Sequence, residues 1–151
     1  MKIRIEEILP SDADVKKLFT LLDEHNLSHC PPEVCNLLQP ENMIQIDSLL
    51  LGIFCDGVLS GMGGLKYFEE YAEVTRMYVK EEYRGNGLAT QLLNVLESKA
   101  LERGITNLKL ETSDNFDMAV RLYLKHGFKK CKPFGEYVKK PYNTYMELDI
   151  T

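Results

Sequence analysis

The stretch Val79-Lys80-Glu81-Glu82-Tyr83-Arg84-Gly85-Asn86-Gly87-Leu88-Ala89 restricts the fold of this chain more than any other. Before it, Tyr71 to Lys80 reads as a strand. After it, apolar residues at 88, 92, 93, 95, 96 and 100 mark a helix that Gly104 ends. A strand feeding a helix through two glycines implies a sheet with helices packed on it, an α/β or α+β arrangement. The glycines let backbone N–H groups turn toward one point. The helix N-terminus adds a partial positive charge worth roughly 0.3–1 kcal/mol to a nearby anion, and Arg84 adds a full one. The segment is either a cradle for an anion such as a pyrophosphate or a structural turn.

Two other phosphate-binding patterns fit the segment less well. Gly85-x-Gly87-x-x-Thr90 approaches the dinucleotide fingerprint, and Glu111 stands about where a ribose-binding acid would. However, Thr90 replaces the third glycine, and five residues separate Val79 from Gly85, too many for the tight turn. After Glu111, too little chain remains for the second half of a doubly wound sheet. No Gly-Lys-Ser/Thr follows either, which removes a Walker loop.

The 151 residues, 44% apolar and 27% charged, suit a single domain spanning 1–151. A net charge of −5 argues against broad nucleic-acid binding but permits a local basic spot. Met1-Lys2-Ile3-Arg4-Ile5-Glu6 alternates and lacks a signal-peptide run. No stretch approaches the roughly 20 apolar residues of a membrane span, so a cytoplasmic protein without a membrane partner is expected. Cys30, Cys35, Cys55 and Cys131 lack C-x-x-C spacing. They are expected to be free thiols, and no metal site is expected, even with His25 and His29 near the first two.

Residues 2–8 alternate like an edge or half-buried strand, and Ser11 can cap a helix over about 12–26. A short helix is expected near 32–39, after Pro31-Pro32. Ser48 to Cys55 and Val58 to Tyr67 form a hairpin about Asp56-Gly57. Thr106 to Thr112 reads as a strand. Ala119, Leu122, Tyr123 and His126 share a helix face that Gly127 stops, and strands are expected at about 128–134 and 143–150.

At this point the residues resemble the GNAT superfamily of N-acetyltransferases. Arg84-Gly85-Asn86-Gly87-Leu88-Ala89 fits its cofactor motif: Arg or Gln, two residues, Gly, one residue, then Gly or Ala. Ala119 to Phe128 looks like its A-x-x-L-Y-x-x-x-G-F motif. The tail from Gly135 to Glu147 looks like a bacterial subgroup of small members whose substrates are mostly unassigned. The resemblance implies a mixed, mostly antiparallel sheet of six to seven strands with about four flanking helices. It implies acetyl-coenzyme A as acyl donor, a primary amine as acceptor and no metal. Pairing of two copies through the C-terminal strands is frequent in such small members. Residue by residue, it assigns the donor's pyrophosphate to the backbone of Arg84, Gly85, Asn86, Gly87, Leu88 and Ala89, and its pantetheine arm to Met77, Tyr78 and Val79. Members often carry Asn three residues before the Ala119 position. Here that residue is Phe116, so Asn115 either reaches the donor from a shifted helix start or serves only as an N-cap. Thr90 gives its hydroxyl to a phosphate or caps the helix.

A lysine-like amine, with pKa about 10.4, is mostly protonated at neutral pH, so a base would help transfer by about 10²–10⁴-fold. Glu73 lies eleven residues before Arg84, the spacing of the glutamate base in histone-modifying members. Strand alternation would put Glu73, Thr75, Met77 and Val79 on one face. The alternative is an exposed carboxylate paired with Arg or Lys. Tyr123 stands where many members protonate the departing thiolate; otherwise it is a core aromatic. Arg76, nominally opposite Met77, binds an acidic substrate group or pairs with a neighbouring acid. His126 is expected to pack or cap, and His25 and His29 to face solvent. Tyr137, Tyr142 and Tyr145 either line an acceptor pocket or pack the last strands. The acceptor is first a small metabolite amine, second a protein lysine or N-terminus. A coenzyme A-binding sensor without turnover is the reading from another class.

Overall fold

The computed structural model describes residues 1–29, 47–113, 116–135, 137 and 143–151. Within these, seven strands form one sheet in the order β1-β2-β3-β4-β5-β7-β6. The strands are β1 (Ile3–Glu7), β2 (Ser48–Cys55), β3 (Val58–Tyr67), β4 (Ala72–Val79), β5 (Asn107–Ser113), β6 (Lys129–Cys131) and β7 (Asn143–Asp149). The helices are α1 (Ala13–His29), α2 (Leu88–Glu102) and α3 (Asp117–His126), with a single 3-10 turn at Glu81–Tyr83. The mixed, mostly antiparallel sheet expected from the sequence is present. Three α-helices are described rather than about four; the short helix expected near 32–39, with Cys30 and Cys35, lies outside the described residues. α1 runs to His29, three residues past its expected end, and β6 is shorter than the expected 128–134.

Asp56 and Gly57 both adopt positive φ, 50° and 84°, which turns β2 into β3 with the twist a tight hairpin needs. Helices cover both faces of the sheet. On one, Val15, Leu18, Phe19 and Leu22 of α1 pack on Leu50, Leu59 and Met62. On the other, Leu88, Leu92, Leu93 and Leu96 of α2 pack on Leu51, Ile53, Leu65, Val74 and Leu108, and Tyr123 of α3 joins them. Each helix buries the apolar stripe its sequence spacing provides.

All neighbouring strands are antiparallel except β4 and β5, which run parallel. That pair is in register only at Ala72–Leu108 and Glu73–Lys109. Beyond these residues the two strands separate, and the sheet opens at its centre.

Candidate active site

β4 carries a bulge where it borders the opening. Gly64 pairs with Thr75 and Met62 with Tyr78, so Arg76 and Met77 together face the single residue Gly63. Arg76 takes φ 56° to make the extra step. The bulge reverses side-chain parity and corrects the alternation expected from the sequence. Met77 and Val79 pack in the α2 cluster, whereas Tyr78 packs in the α1 cluster. Glu73 lies opposite Lys66, on the α1 face, so it does not share a face with Met77 and Val79.

Glu73 is only 5% exposed. Its carboxylate accepts a 2.6 Å hydrogen bond from the Tyr137 hydroxyl and lies 3.7 Å from Lys66 Nζ. Burial pushes its pKa above the usual carboxylate range, while Tyr137 and Lys66 draw it part of the way back. Burial, then the neighbouring Glu73, holds the Tyr137 hydroxyl protonated. The alternative of an exposed carboxylate is thereby corrected: Glu73 has a lysine neighbour, but it is buried.

Tyr123 projects from α3, edge-on to Phe128 with ring centroids 5.6 Å apart. It is buried, and burial raises its pKa well beyond the ordinary tyrosine value. Among the described residues nothing hydrogen-bonds its hydroxyl.

The glycine segment joins the 3-10 turn to α2. Gly85 and Gly87 take φ 83° and 74°, a region in which a side chain is strained. Gly87 is the N-cap of α2, without a side-chain capping bond, and no acid occupies the first turn. The N–H groups of Leu88, Ala89 and exposed Thr90 therefore begin the helix with no carbonyl below them. Arg84 Nε donates to the Val79 carbonyl at 2.8 Å, and its guanidinium lies 5.4 Å from the centre of the Tyr78 ring. Asn86 donates its side-chain amide to the Tyr83 carbonyl at 2.9 Å, which tightens the turn. An uncapped helix end free of acids, beside an arginine, fits an anionic group such as a pyrophosphate.

These parts line one cavity of about 790 Å³, within the roughly 300–1,000 Å³ of small-molecule sites. Its walls include Leu22 and His25 from the α1 face and Leu88 and Tyr123 from the α2 face, so it passes through the sheet where β4 and β5 part. Of the expected site residues, Glu73, Met77, Tyr78, Val79, Arg84, Gly85, Gly87, Leu88, Ala89, Thr90 and Tyr123 line it. Asn86 does not, and Asn115 lies outside the described residues. Phe116 holds the N-cap position of α3 and makes no side-chain cap.

His25 is not in an exposed loop as expected. It lies in α1, half-buried, stacked on Phe116 at 5.7 Å and edge-on to Tyr78 at 6.1 Å. His126 packs as expected, its Nε2 bonded to Glu97 of α2. Tyr137 lines the cavity while Tyr145 packs against Phe134 and Tyr137; Tyr142 and the His29 side chain are outside the described residues. Among the wall residues that carried no mark in the sequence as site residues are Asn143, which donates to Glu111 at 3.3 Å, and Ser113. Lys66 opposite Glu73 becomes legible once the β3–β4 register is known. Among the described residues no group of His, Cys, Asp and Glu is arranged to hold a metal ion, and no helix is long and apolar enough to cross a membrane.

A model of the acetyltransferase (GNAT) family matches residues 14–128. The chain is 31% identical over 143 residues to the IAA acetyltransferase of Azospirillum brasilense, covering 93% of this chain and 94% of that protein. It is 28% identical over 127 residues to the uncharacterized N-acetyltransferase YedL of Escherichia coli (strain K12), covering 82% and 80%. A provisionally designated acyl-CoA N-acyltransferase of Klebsiella pneumoniae has the same fold, with a TM-score of 0.84 and 28% identity over 99% of this chain and 98% of that one. The chain belongs to the acetyltransferase (GNAT) family and is an acetyl-coenzyme A-dependent N-acetyltransferase.

Proposed function

We propose that the protein moves the acetyl group from acetyl-coenzyme A directly to the primary amine of a small metabolite, within the cavity at the β4–β5 opening. The observation that carries this reading is the pairing, in one cavity, of a buried carboxylate of raised pKa, Glu73, with the Tyr123 hydroxyl, which has no partner among the described residues.

On this reading the N–H groups from Gly85 to Thr90 and the Arg84 side chain hold the donor's pyrophosphate. The β4 edge at Met77, Tyr78 and Val79, which β5 leaves unpaired, bonds the pantetheine amides. Glu73 takes a proton from the acceptor ammonium, directly or through one water. The free amine attacks the thioester carbonyl carbon, the carbon–sulfur bond breaks, the electron pair leaves with sulfur, and the second proton shed by the new amide nitrogen passes to that thiolate or to water. Raising a carboxylate's pKa toward the working pH makes it a better base, provided it stays ionised. Tyr123 stays protonated throughout and is a weaker acid than a thiol of pKa about 8.5. Its main contribution is therefore a hydrogen bond to the departing sulfur, and its effect is modest.

A small acceptor suits the site because Glu73 is buried in the cavity wall, its carboxylate bonded to Tyr137. The test is to follow thiol release from acetyl-coenzyme A with a panel of small amines and lysine peptides. Saturable release with a small amine, slowed in both Glu73→Gln and Tyr123→Phe, is expected. Turnover confined to peptides, or unaffected by either substitution, would overturn the reading.

A further inference from the structure

The transfer chemistry leaves one buried charge unused. Arg76 is 6% exposed, and its backbone sits at φ 56°, a strained setting for a long side chain. Its Nη1 donates to Asp23 Oδ1 of α1 at 2.8 Å, and its guanidinium carbon lies 4.9 Å from the centre of the Phe19 ring. Its Nε and Nη2 are buried and, among the described residues, donate to nothing.

A structural tie between β4 and α1 accounts for Nη1 alone. A lysine would supply that contact without burying two further donors unpaired. Nε and Nη2 lie along one edge of the guanidinium, and such an edge matches the two oxygens of a carboxylate. Arg76 lines the same cavity as Glu73, three residues away on β4. The bulge turns it toward α1, as its bond to Asp23 shows, and Glu73 lies on that same face. The α2 N-terminus, with the anion-binding glycine turn, is on the other face. Arg76 is thus on the Glu73 side of the sheet rather than beside the glycine turn.

We infer that the acceptor carries a carboxylate as well as its amine, and that the Nε–Nη2 edge of Arg76 receives that carboxylate. The substrate class is that of amino acids and related amino-carboxylates. This rests on the reading of the cavity as the acetyl-transfer site. Asp23 balances the guanidinium when no acceptor is bound, and it leaves the fork free.

The test compares matched acceptors: α-, γ- and ε-amino acids, each beside its carboxamide, with rates expressed per free-base amine and thiol release as the signal. The wild-type protein should favour at least one acid over its amide by about 10²-fold in kcat/KM. In Arg76→Gln that ratio should fall toward one, and in Arg76→Lys, which keeps the charge but not the fork, it should recover only in part. A ratio cancels any general loss of active protein, and the wild-type ratio decides the matter even if the variants do not fold. Equal use of acids and amides by the wild type, or preference for polyamines, would overturn the carboxylate seat and leave amine acetylation standing. Absence of thiol release with every amine would overturn the transfer reading and this inference with it.

Discussion

The Tyr137 hydroxyl donates a 2.6 Å hydrogen bond to the Glu73 carboxylate across 64 residues of sequence. This bond favours the ionised carboxylate and opposes the burial that raises its pKa. In Tyr137→Phe the bond is lost and burial acts with less opposition, so the Glu73 pKa should rise further. If Glu73 must be ionised to accept the amine's proton, the acid limb of the kcat/KM profile should move to higher pH. The same amine is used for both proteins, so its own titration cancels. Activity should fall several-fold on the acid limb and recover at higher pH; an unmoved acid limb would remove Glu73 from the role of base.

Glu73→Gln separates catalysis from stability. Glutamine can still accept from Tyr137, so the local packing survives, but it cannot take a proton. Turnover should drop by about 10²–10⁴-fold. The stability change has the opposite sign. Glu73 is more basic folded than unfolded, so its contribution is greatest at low pH and is lost as pH rises through the folded pKa. The variant escapes that loss. Its melting temperature should match or exceed the wild type's at pH 8, with the gap closing toward pH 4, as read by thermal denaturation across that range.

The sequence exposed the glycine turn, the hairpin at Asp56-Gly57 and the tyrosine of α3 because each is written in neighbouring residues. Glycine or Asp-Gly at a turn, and apolar residues at helical spacing, act over a few positions. The β4 bulge was not legible in this way. Arg76 adopts positive φ without being Gly, Asn or Asp, the residues that usually signal it. The cause lies across the sheet, in how β3 registers against β4 on either side of Gly63. A period-two reading of β4 therefore put Glu73 and Met77 on one face. Tyr137 was equally hidden as a partner of Glu73, because nothing local ties a residue after Gly135 to the middle of β4. His25 was misplaced for a smaller reason: α1 runs on through Glu24-His25-Asn26 to His29, and the His25 ring finds Phe116 and Tyr78.

Tyr123→Phe should show the reverse of a structural aromatic. The ring keeps its packing against Phe128, and the hydroxyl gives up no hydrogen bond within the described residues. Stability should stay within about 0.5 kcal/mol of wild type, as surface-like changes do. If the hydroxyl steadies the departing sulfur, kcat should still fall by roughly tenfold, since removing a hydrogen-bond donor from a leaving group costs about 1–2 kcal/mol. KM for the amine should be unchanged. A variant with full kcat would make Tyr123 a core residue only.

Gly87→Ala tests the glycine turn without a steric complication, because a Cβ there would meet nothing within 4 Å. The cost is conformational, as Gly87 must hold φ 74° to start α2. Placing alanine in the left-handed region costs about 1–2 kcal/mol. Each kcal/mol corresponds to roughly 2–4 °C of melting temperature at this chain length. If the turn and the α2 N-terminus hold the donor's pyrophosphate, relaxation of the turn to escape that strain also moves the N–H groups that bind it. KM for acetyl-coenzyme A should then rise about tenfold, a loss near 1.4 kcal/mol, while KM for the amine stays constant. Acetyl-coenzyme A should protect the wild type against heat more than it protects the variant, by linkage of binding to folding. Equal protection of both, with an unchanged donor KM, would place the pyrophosphate elsewhere in the cavity.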